Sequence, residues 1–234
     1  MNRTIAILGG TGKLGSALAL RWAAAGESVV IGSRDRNRAN QKAEQLRSRL
    51  NRQVSLAGGD YRQATAGAGI VVLTVPFPSQ LPTLKMVRDE LAPGTVLVDT
   101  TVPLAVTVGA SFTHTITTWE GSAAQQLAAA AGDRISVTAA FHSISAGQLD
   151  SWPQPLDSDI LVTGDDAQAK QTVMGLVEKI PNLRGIDAGP LEMARVTEQL
   201  TALLIGIGLV HGTSDVGIHV TGLDGRLDTN RLSG

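Results

Sequence analysis

Three glycines at a fixed spacing follow the first apolar run of the chain. They are Gly10, Gly12 and Gly15, and the apolar run covers residues 4–8. Glycine here allows a tight turn, a close backbone approach to a pyrophosphate, and close packing of the next helix on the strand. The free N–H groups and the dipole at the start of that helix attract phosphate. The spacing therefore predicts a dinucleotide-binding turn, and the alternative is a glycine-rich turn that serves packing alone.

A hydroxyl and a guanidinium stand at the end of the second apolar run. Ser33 and Arg34 follow residues 28–31, at the position where a protein that uses NAD usually carries Asp or Glu. A guanidinium binds phosphate through charge-assisted, bidentate hydrogen bonds, whereas a carboxylate repels it. Arg36 and Arg38 continue the positive run. We therefore predict NADP(H) as the dinucleotide, and the alternative is a solvated basic helix face.

Other residues with chemical potential come at the predicted carboxyl ends of later strands, where open α/β sheets bind ligands. They are Thr74, Pro76, Asp99 and His142. Pro76 interrupts strand pairing and is predicted to shape a cofactor floor, unless it only stops the strand. Asp99 is predicted to cap its loop. His142 is either a ligand-facing group or a hydrogen-bonded structural histidine.

Composition excludes several kinds of chemistry. The chain has no cysteine, which removes disulfides, thiolate catalysis, zinc–sulfur sites and iron–sulfur clusters. Its four histidines show no metal-binding spacing, so no metal is predicted. A net charge of −1 and 3% aromatic residues give no basis for a nucleic-acid partner.

The elements that must position these residues alternate along the first half of the chain. Apolar runs predict strands, and helical patterns lie between them. The strands cover residues 4–8, 28–31, 70–75, 95–98 and 134–138, and the helices cover 13–25, 37–50, a segment near 81, and 122–131. This alternation predicts an α/β fold: a Rossmann-type, doubly wound, mostly parallel sheet with helices on both faces.

The pattern of predicted strands and helices changes after residue 141. Strands are predicted over residues 160–162 and 183–186, and helices over 167–179 and 192–211. We predict a dinucleotide-binding domain over 1–140, a smaller C-terminal α/β-helical part over 141–221, and a flexible tail over 222–234.

The last predicted helix is apolar nearly all round after residue 200. Such a helix is buried, in a small domain often by a second subunit, so we predict a homodimer. The run over residues 200–210 is shorter than the ~20 residues that a membrane span needs. The apolar run at the N-terminus is too short for a signal peptide. We therefore expect a cytoplasmic protein with no membrane partner.

The chain resembles the NADPH-dependent coenzyme F420 reductases, also called deazaflavin:NADP oxidoreductases. The resemblance spans residues 5–218, in the order of the family. The matching segments are AILGGTGKLGSALALR, VVIGSR, VVLTVP, TAAFHSISAGQL, VTGDDAQAK and IDAGPLEMARVTEQLTALL. It implies reversible hydride transfer between NADP(H) and the deazaflavin coenzyme F420.

The resemblance also implies roles for particular residues, which fall into four groups. They are Thr11, Gly12, Lys13 and Leu14 for the pyrophosphate; Ser33, Arg34 and Arg38 for the 2′-phosphate; Phe77, Leu81, Leu104 and Ala146 towards the nicotinamide; and His142, Ile144 and Thr201 around the deazaflavin. His142 and Thr201 would orient the deazaflavin and not serve as essential proton donors. Two alternatives stay open because fold does not fix function: an NADPH-dependent reductase of another flavin or an imine, and a non-catalytic NADP-binding sensor.

Overall fold

The alternating apolar runs fold into one eight-stranded sheet in a computed structural model that describes residues 3–223. The strands are β1 (Ile5–Leu8), β2 (Val29–Ser33), β3 (Leu56–Asp60), β4 (Ile70–Leu73), β5 (Val96–Asp99), β6 (Ser136–Ala139), β7 (Ser158–Gly164) and β8 (Leu183–Asp187). Their order in the sheet is β3-β2-β1-β4-β5-β6-β7-β8. All neighbours are parallel except β6 and β7, which are antiparallel.

Helices cover both faces of this sheet. They are α1 (Lys13–Ala24), α2 (Arg36–Leu50), α3 (Tyr61–Thr65), α4 (Gln80–Val87), α5 (Ala123–Ala131), α6 (Ala146–Asp150), α7 (Ala167–Glu178) and α8 (Ala194–His211). Strand β1 is buried on both sides: Ile5 and Ile7 join one apolar cluster with α1, α2 and α7, while Ala6 and Leu8 join a second with α4 and α5. The predicted Rossmann-type, mostly parallel α/β fold is confirmed.

Strand β3 was not predicted, because its sequence reads as a turn. Its centre holds Gly58 and Gly59, and glycine weakens a strand pattern. A Cβ at Gly58 would lie 2.5 Å from the carbonyl carbon of Ala39 and from the nitrogen of Asn40. The glycine is therefore needed because the backbone of α2 lies directly against β3.

Strands β7 and β8 extend the same sheet. The connection is a short antiparallel ladder in which Thr138 pairs with Gly164 and Ala139 with Thr163. The predicted domain division after residue 140 falls just beyond β6, inside this continuous sheet, and it stays a prediction. Residues 224–234 of the predicted tail lie outside the described residues.

Two buried side chains of α1 hold the C-terminal part against the sheet. The Arg21 guanidinium donates hydrogen bonds to the carbonyl oxygens of Leu149 and Gln154, both at 2.8 Å. The Trp22 indole donates to the carbonyl oxygen of Leu176 at 3.0 Å. Helix α1 thus fixes both α6 and α7.

Helix α8 keeps a large apolar surface. By length and composition the helical segment Leu191–His211 could cross a membrane, which the shorter run over 200–210 did not indicate. A core helix of a water-soluble protein meets the same criteria. Only 33% of the most apolar stretch of this segment is buried. Leu203, Leu209 and Val210 are 57%, 70% and 81% exposed.

Candidate functional site

The glycine-rich turn lies where the strand order reverses, between β1 and β4. Ligands bind at such a switch point in open α/β sheets, beyond the carboxyl ends of the strands. Gly15 seats the first turn of α1 against β4: a Cβ there would lie 2.4 Å from Thr74 Oγ1. The Thr74 hydroxyl in turn donates to the carbonyl oxygen of Leu8 at 3.0 Å. The third glycine is therefore required for close packing, as predicted from the spacing.

The start of α1 is open to a ligand. Gly12 is the N-cap residue, no side chain of residues 3–223 caps it, and the first turn carries no acidic residue. Lys13, the first helical residue, is exposed. Unpaired N–H groups and the positive end of the helix dipole therefore face the cleft, and this suits a pyrophosphate.

The end of β2 supplies cationic groups to the same cleft. Ser33 is buried, and its hydroxyl accepts a hydrogen bond from the Asp35 backbone at 3.2 Å. The Asp35 carboxylate caps α2 by accepting from the backbone N–H groups of Asn37 and Arg38. Arg34 and Arg38 are exposed, and within residues 3–223 neither guanidinium forms an ion pair. Both therefore keep their charge available to an anion.

The cleft between these elements has a volume of about 340 Å³. Many of the residues predicted for the dinucleotide line it, namely Thr11, Gly12, Ser33, Arg34, Arg38, Thr74 and Pro76. Others lie outside its lining, namely Gly10, Lys13, Leu14, Gly15, Phe77, Leu81, Leu104 and Ala146. The structure thus brings together Thr11, Gly12 and the residues predicted for the 2′-phosphate. Lys13, Leu14 and the residues predicted towards the nicotinamide are not part of this wall.

Sequence reasoning missed one wall of the cleft, which comes from α3 and the segment around α4. Its residues are Tyr61, Ser79, Pro82, Thr83 and Met86. Burial raises the pKa of Tyr61, and the nearby Arg34 charge opposes that rise. The available signal was the capping box at the start of α3, in which Asp60 and Gln63 cap each other's backbone N–H groups.

A second cavity of about 230 Å³ lies between α8 and the segment that follows β6. All three residues predicted for the deazaflavin line it: His142, Ile144 and Thr201. The remaining walls are mostly apolar and include the segment after α8, which was not predicted. These residues are Ser143, Ser145, Leu204, Ile205, Gly208, Leu209, Thr213, Ser214 and Val216.

The imidazole of His142 is buried at this cavity. Neither ring nitrogen has a hydrogen-bond partner of normal geometry within residues 3–223. Burial lowers the pKa of His142 to about 4, and the nearby Thr101 backbone opposes this only in part. The ring is therefore neutral at pH 7.

The backbone around His142 is constrained from two sides. Phe141 has φ +67, a conformation that is strained for a bulky side chain, and its ring packs edge-on against Trp22. The Thr201 hydroxyl donates to the carbonyl oxygen of His142 at 2.7 Å. Helices α1 and α8 together constrain the backbone that carries His142.

A buried polar network lies beside this site. Asp99 accepts from the Thr101 backbone at 3.0 Å, which confirms its predicted loop-capping role. The Gln80 amide donates to Asp99 Oδ2 at 2.6 Å and to the carbonyl oxygen of Ala123 at 3.0 Å. This joins α4, β5 and α5. Within residues 3–223, no group of three or more His, Asp or Glu side chains could hold a metal ion.

Glu198 connects the start of α5 to α8. Its two carboxylate oxygens accept from the backbone N–H groups of Ala123 and Ala124, each at 3.0 Å. Burial raises the pKa of Glu198 to about 8, the two N–H donors oppose the rise, and the Asp99 charge adds to it. Burial also raises the pKa of Asp99 to about 7. Sequence reasoning missed Glu198, because nothing local marks a contact across 75 residues.

A glycine-rich turn at the switch point of a parallel sheet, with cationic groups at the next strand end, defines a dinucleotide-dependent oxidoreductase of the Rossmann type. A family model described as NADP oxidoreductase, coenzyme F420-dependent, matches residues 4–103. The F420-dependent NADP reductase of Methanothermobacter thermautotrophicus is 41% identical over 221 residues, which cover 94% of this chain and 95% of that relative. The chain belongs to the family of F420-dependent NADP reductases, which confirms the resemblance.

Two further proteins are similar to this chain over nearly its full length. The F420-dependent NADP reductase of Methanocaldococcus jannaschii is 34% identical over 223 residues, covering 94% of this chain and 99% of that relative. A crystallised protein of Arthrobacter sp. FB24, provisionally assigned as an F420-dependent NADP reductase, has a TM-score of 0.77 at 24% identity. The match covers 94% of this chain and all of that one, and at this identity it shows the fold alone.

The raised pKa values predict a stability that falls with rising pH. Between pH 6.5 and 8 the folded protein retains a proton on Glu198, and up to about pH 7 it also retains one on Asp99. The unfolded chain has already released both protons in this range. His142, whose pKa is lowered, affects the pH dependence of stability only below pH 6.5. We expect the free energy of unfolding, from urea titrations, to fall by about 2 kcal/mol over this window.

Glu198→Gln tests the origin of this slope. The variant should be less stable at every pH because an amide nitrogen cannot accept a hydrogen bond from the α5 backbone. Its free energy of unfolding should nevertheless fall less between pH 6.5 and 8 than that of the wild type. Glu178→Gln, on the exposed side of α7, should keep the wild-type slope. An unchanged slope in Glu198→Gln would refute the assignment.

Proposed function

We propose that this chain transfers a hydride reversibly between NADP(H) and coenzyme F420. The observation that supports this most strongly is identity of 41% to an F420-dependent NADP reductase across 94% of the chain. The first cavity is cationic and lies at the switch point, and the second is mostly apolar and lies against α8.

The first cavity fits NADP(H) by its donor set. An uncapped helix start suits the pyrophosphate, and the unpaired guanidinium groups of Arg34 and Arg38 beside the Ser33 hydroxyl suit the 2′-phosphate. We propose Thr11, Gly12, Lys13 and Leu14 for the pyrophosphate. Phe77, Leu81, Leu104 and Ala146 are proposed to adjoin the nicotinamide, in which case NADP(H) extends beyond the present lining of the cleft.

The second cavity is proposed to hold the deazaflavin between His142, Ile144 and Thr201. When bound, NADPH supplies the hydride that F420 accepts, or the reverse. Direct transfer requires the reacting carbons to lie about 3–3.5 Å apart, so the chain mainly positions the rings and excludes water. Apolar walls such as Leu204 and Ile205 exclude water, and neutral His142 orients the ring with no charge of its own. Thr201 already donates to the His142 carbonyl and so holds the histidine in place.

We also propose the wider organisation of the enzyme. Residues 1–140 bind the dinucleotide, and residues 141–221 bind the deazaflavin and dimerise. The exposed apolar face of α8 supports dimerisation, because a patch of this kind marks an interface. The net charge of −1 supports the absence of a nucleic-acid partner. Cytoplasmic location and the absence of a membrane partner stay predictions.

A comparison of several hydride acceptors tests the proposed reaction. Purified protein should oxidise NADPH when F420 is supplied, and should be inactive with FMN, riboflavin or a cyclic imine, when absorbance of NADPH is followed with each acceptor in turn. Turnover with an imine or FMN but none with F420 would replace the proposal with the first alternative. NADPH binding without turnover on any acceptor would favour the sensor.

Arg34→Ala tests the dinucleotide assignment. Losing a charge-assisted contact to the 2′-phosphate costs about 1.5–3 kcal/mol, so the KM for NADPH should rise roughly 10- to 100-fold. The KM for NADH, which lacks that phosphate, should barely change. Equal losses with the two dinucleotides would show that Arg34 does not contact the 2′-phosphate. Arg62→Ala, an exposed arginine on α3, is the matched control.

Light scattering tests the dimer. At micromolar concentration we expect twice the chain mass of 24.3 kDa, because Leu203, Leu209 and Val210 are exposed on one helix. Leu203→Glu should shift the protein towards the monomer, whereas Leu223→Glu, which lies beyond α8, should not. A wild type that scatters as 24.3 kDa would remove the dimer.

A further inference from the structure

The segment after α8 turns back over the second cavity. We refer to residues 213–220 as the strap. Thr213, Ser214 and Val216 of the strap line the cavity, and the first two are also exposed to solvent. The strap is therefore an outer wall, between the cavity and water. Several hydrogen bonds attach it to the rest of the structure.

One anchor joins the strap to α6. The Ser145 hydroxyl, which caps α6, donates to Asp215 Oδ1 at 3.1 Å. The Gln148 amide donates to the carbonyl oxygen of Asp215 at 3.0 Å. Within the strap, the Asp215 backbone N–H donates to the Thr213 hydroxyl at 3.1 Å. Asp215 thus connects the wall to the segment that carries His142 and Ile144.

A second anchor fixes the far end of the strap to β7. Asp159 is buried and accepts from the Val220 backbone N–H at 2.7 Å. Arg184 donates to both carboxylate oxygens of Asp159, at 2.9 and 2.7 Å, and to the carbonyl oxygen of Val220. These hydrogen bonds, the Arg184 bonds above all, hold the pKa of Asp159 below its usual value. The end of the strap therefore stays attached if the Asp215 anchor is lost.

The near end of the strap lies directly against α8. The Thr213 backbone N–H donates to the carbonyl oxygen of Gly208 at 3.0 Å, and a Cβ at Gly208 would lie 2.4 Å from the Thr213 carbonyl oxygen. The strap is thus held at both ends, and the Asp159 backbone N–H also donates to the carbonyl oxygen of Ile218 at 2.8 Å. Asp215 is the side-chain attachment beside the residues that line the cavity. A change at Asp215 should loosen the wall without detaching the chain.

We propose that Asp215 is a positioning residue for the acceptor cavity, where it holds the strap as the outer wall against which F420 packs. This rests on the proposed function, because the occupant of the cavity is F420. Loss of the Asp215 carboxylate removes the Ser145 hydrogen bond and weakens the hold on Thr213, Ser214 and Val216, while the bonds of the strap backbone to Gln148 and Gly208 remain. The dinucleotide cleft does not include any strap residue, so NADPH binding is independent of this anchor.

The test compares Asp215→Ala with the wild type in binding and in strap mobility. Isothermal titration should give a Kd for F420 raised about 10-fold, in line with loss of a hydrogen bond to a charged group at an exposed position, and a Kd for NADPH unchanged. Hydrogen exchange of the 213–220 amides should become faster. Asp215→Asn, which keeps an acceptor oxygen for Ser145, should restore most of both properties. Asp133→Ala, an exposed acid before β6, is the control.

Each result bears on the proposal. Faster exchange in the strap with unchanged F420 affinity would overturn it, and so would unchanged exchange. Equal weakening of F420 and NADPH binding would indicate general loss of structure and would also overturn it. On a Ser145→Ala background, Asp215→Ala should have almost no further effect, because both remove the same contact. A wild type that fails to bind F420 refutes the proposed function itself, before any variant is compared.

Discussion

The seating of α1 on the sheet is the constraint on which the rest of the structure depends. Gly15 allows the first turn of α1 to touch Thr74 of the neighbouring strand end, and any side chain there would separate them. That contact aims the uncapped start of α1 at the cleft. Further along the same helix, Arg21 and Trp22 hold α6 and α7. One helix therefore sets the distance between the dinucleotide cleft and the segment that carries His142.

Polar contacts position helix α8 on the other side of the site. Glu198 binds the start of α5, and Gln80 binds that same turn to Asp99. Breaking a buried network leaves unsatisfied groups, which costs more than the bonds themselves contribute. Glu198 thus holds helix α8 in place, while the apolar face of α8 stays exposed and the Thr201 hydroxyl contacts the carbonyl oxygen of His142.

The two cavities differ in a way that suits two different ligands. The cleft at the switch point presents helix amides and guanidinium groups to phosphates, whereas the second cavity presents a neutral imidazole and aliphatic side chains.

The sequence by itself determined the features that depend on neighbours along the chain. The parallel fold follows from alternating strands and helices, and the phosphate side of the cleft follows from glycine spacing and from Ser33–Arg34 at a strand end. Tertiary structure alone decided the rest. Strand β3 is not recognisable in the sequence because close packing of α2 requires Gly58 at its centre. Glu198 contacts α5 across 75 residues, and Asp215 contacts Ser145 across 70 residues. Such contacts depend on which distant segments the folded sheet brings together, and no local pattern encodes them.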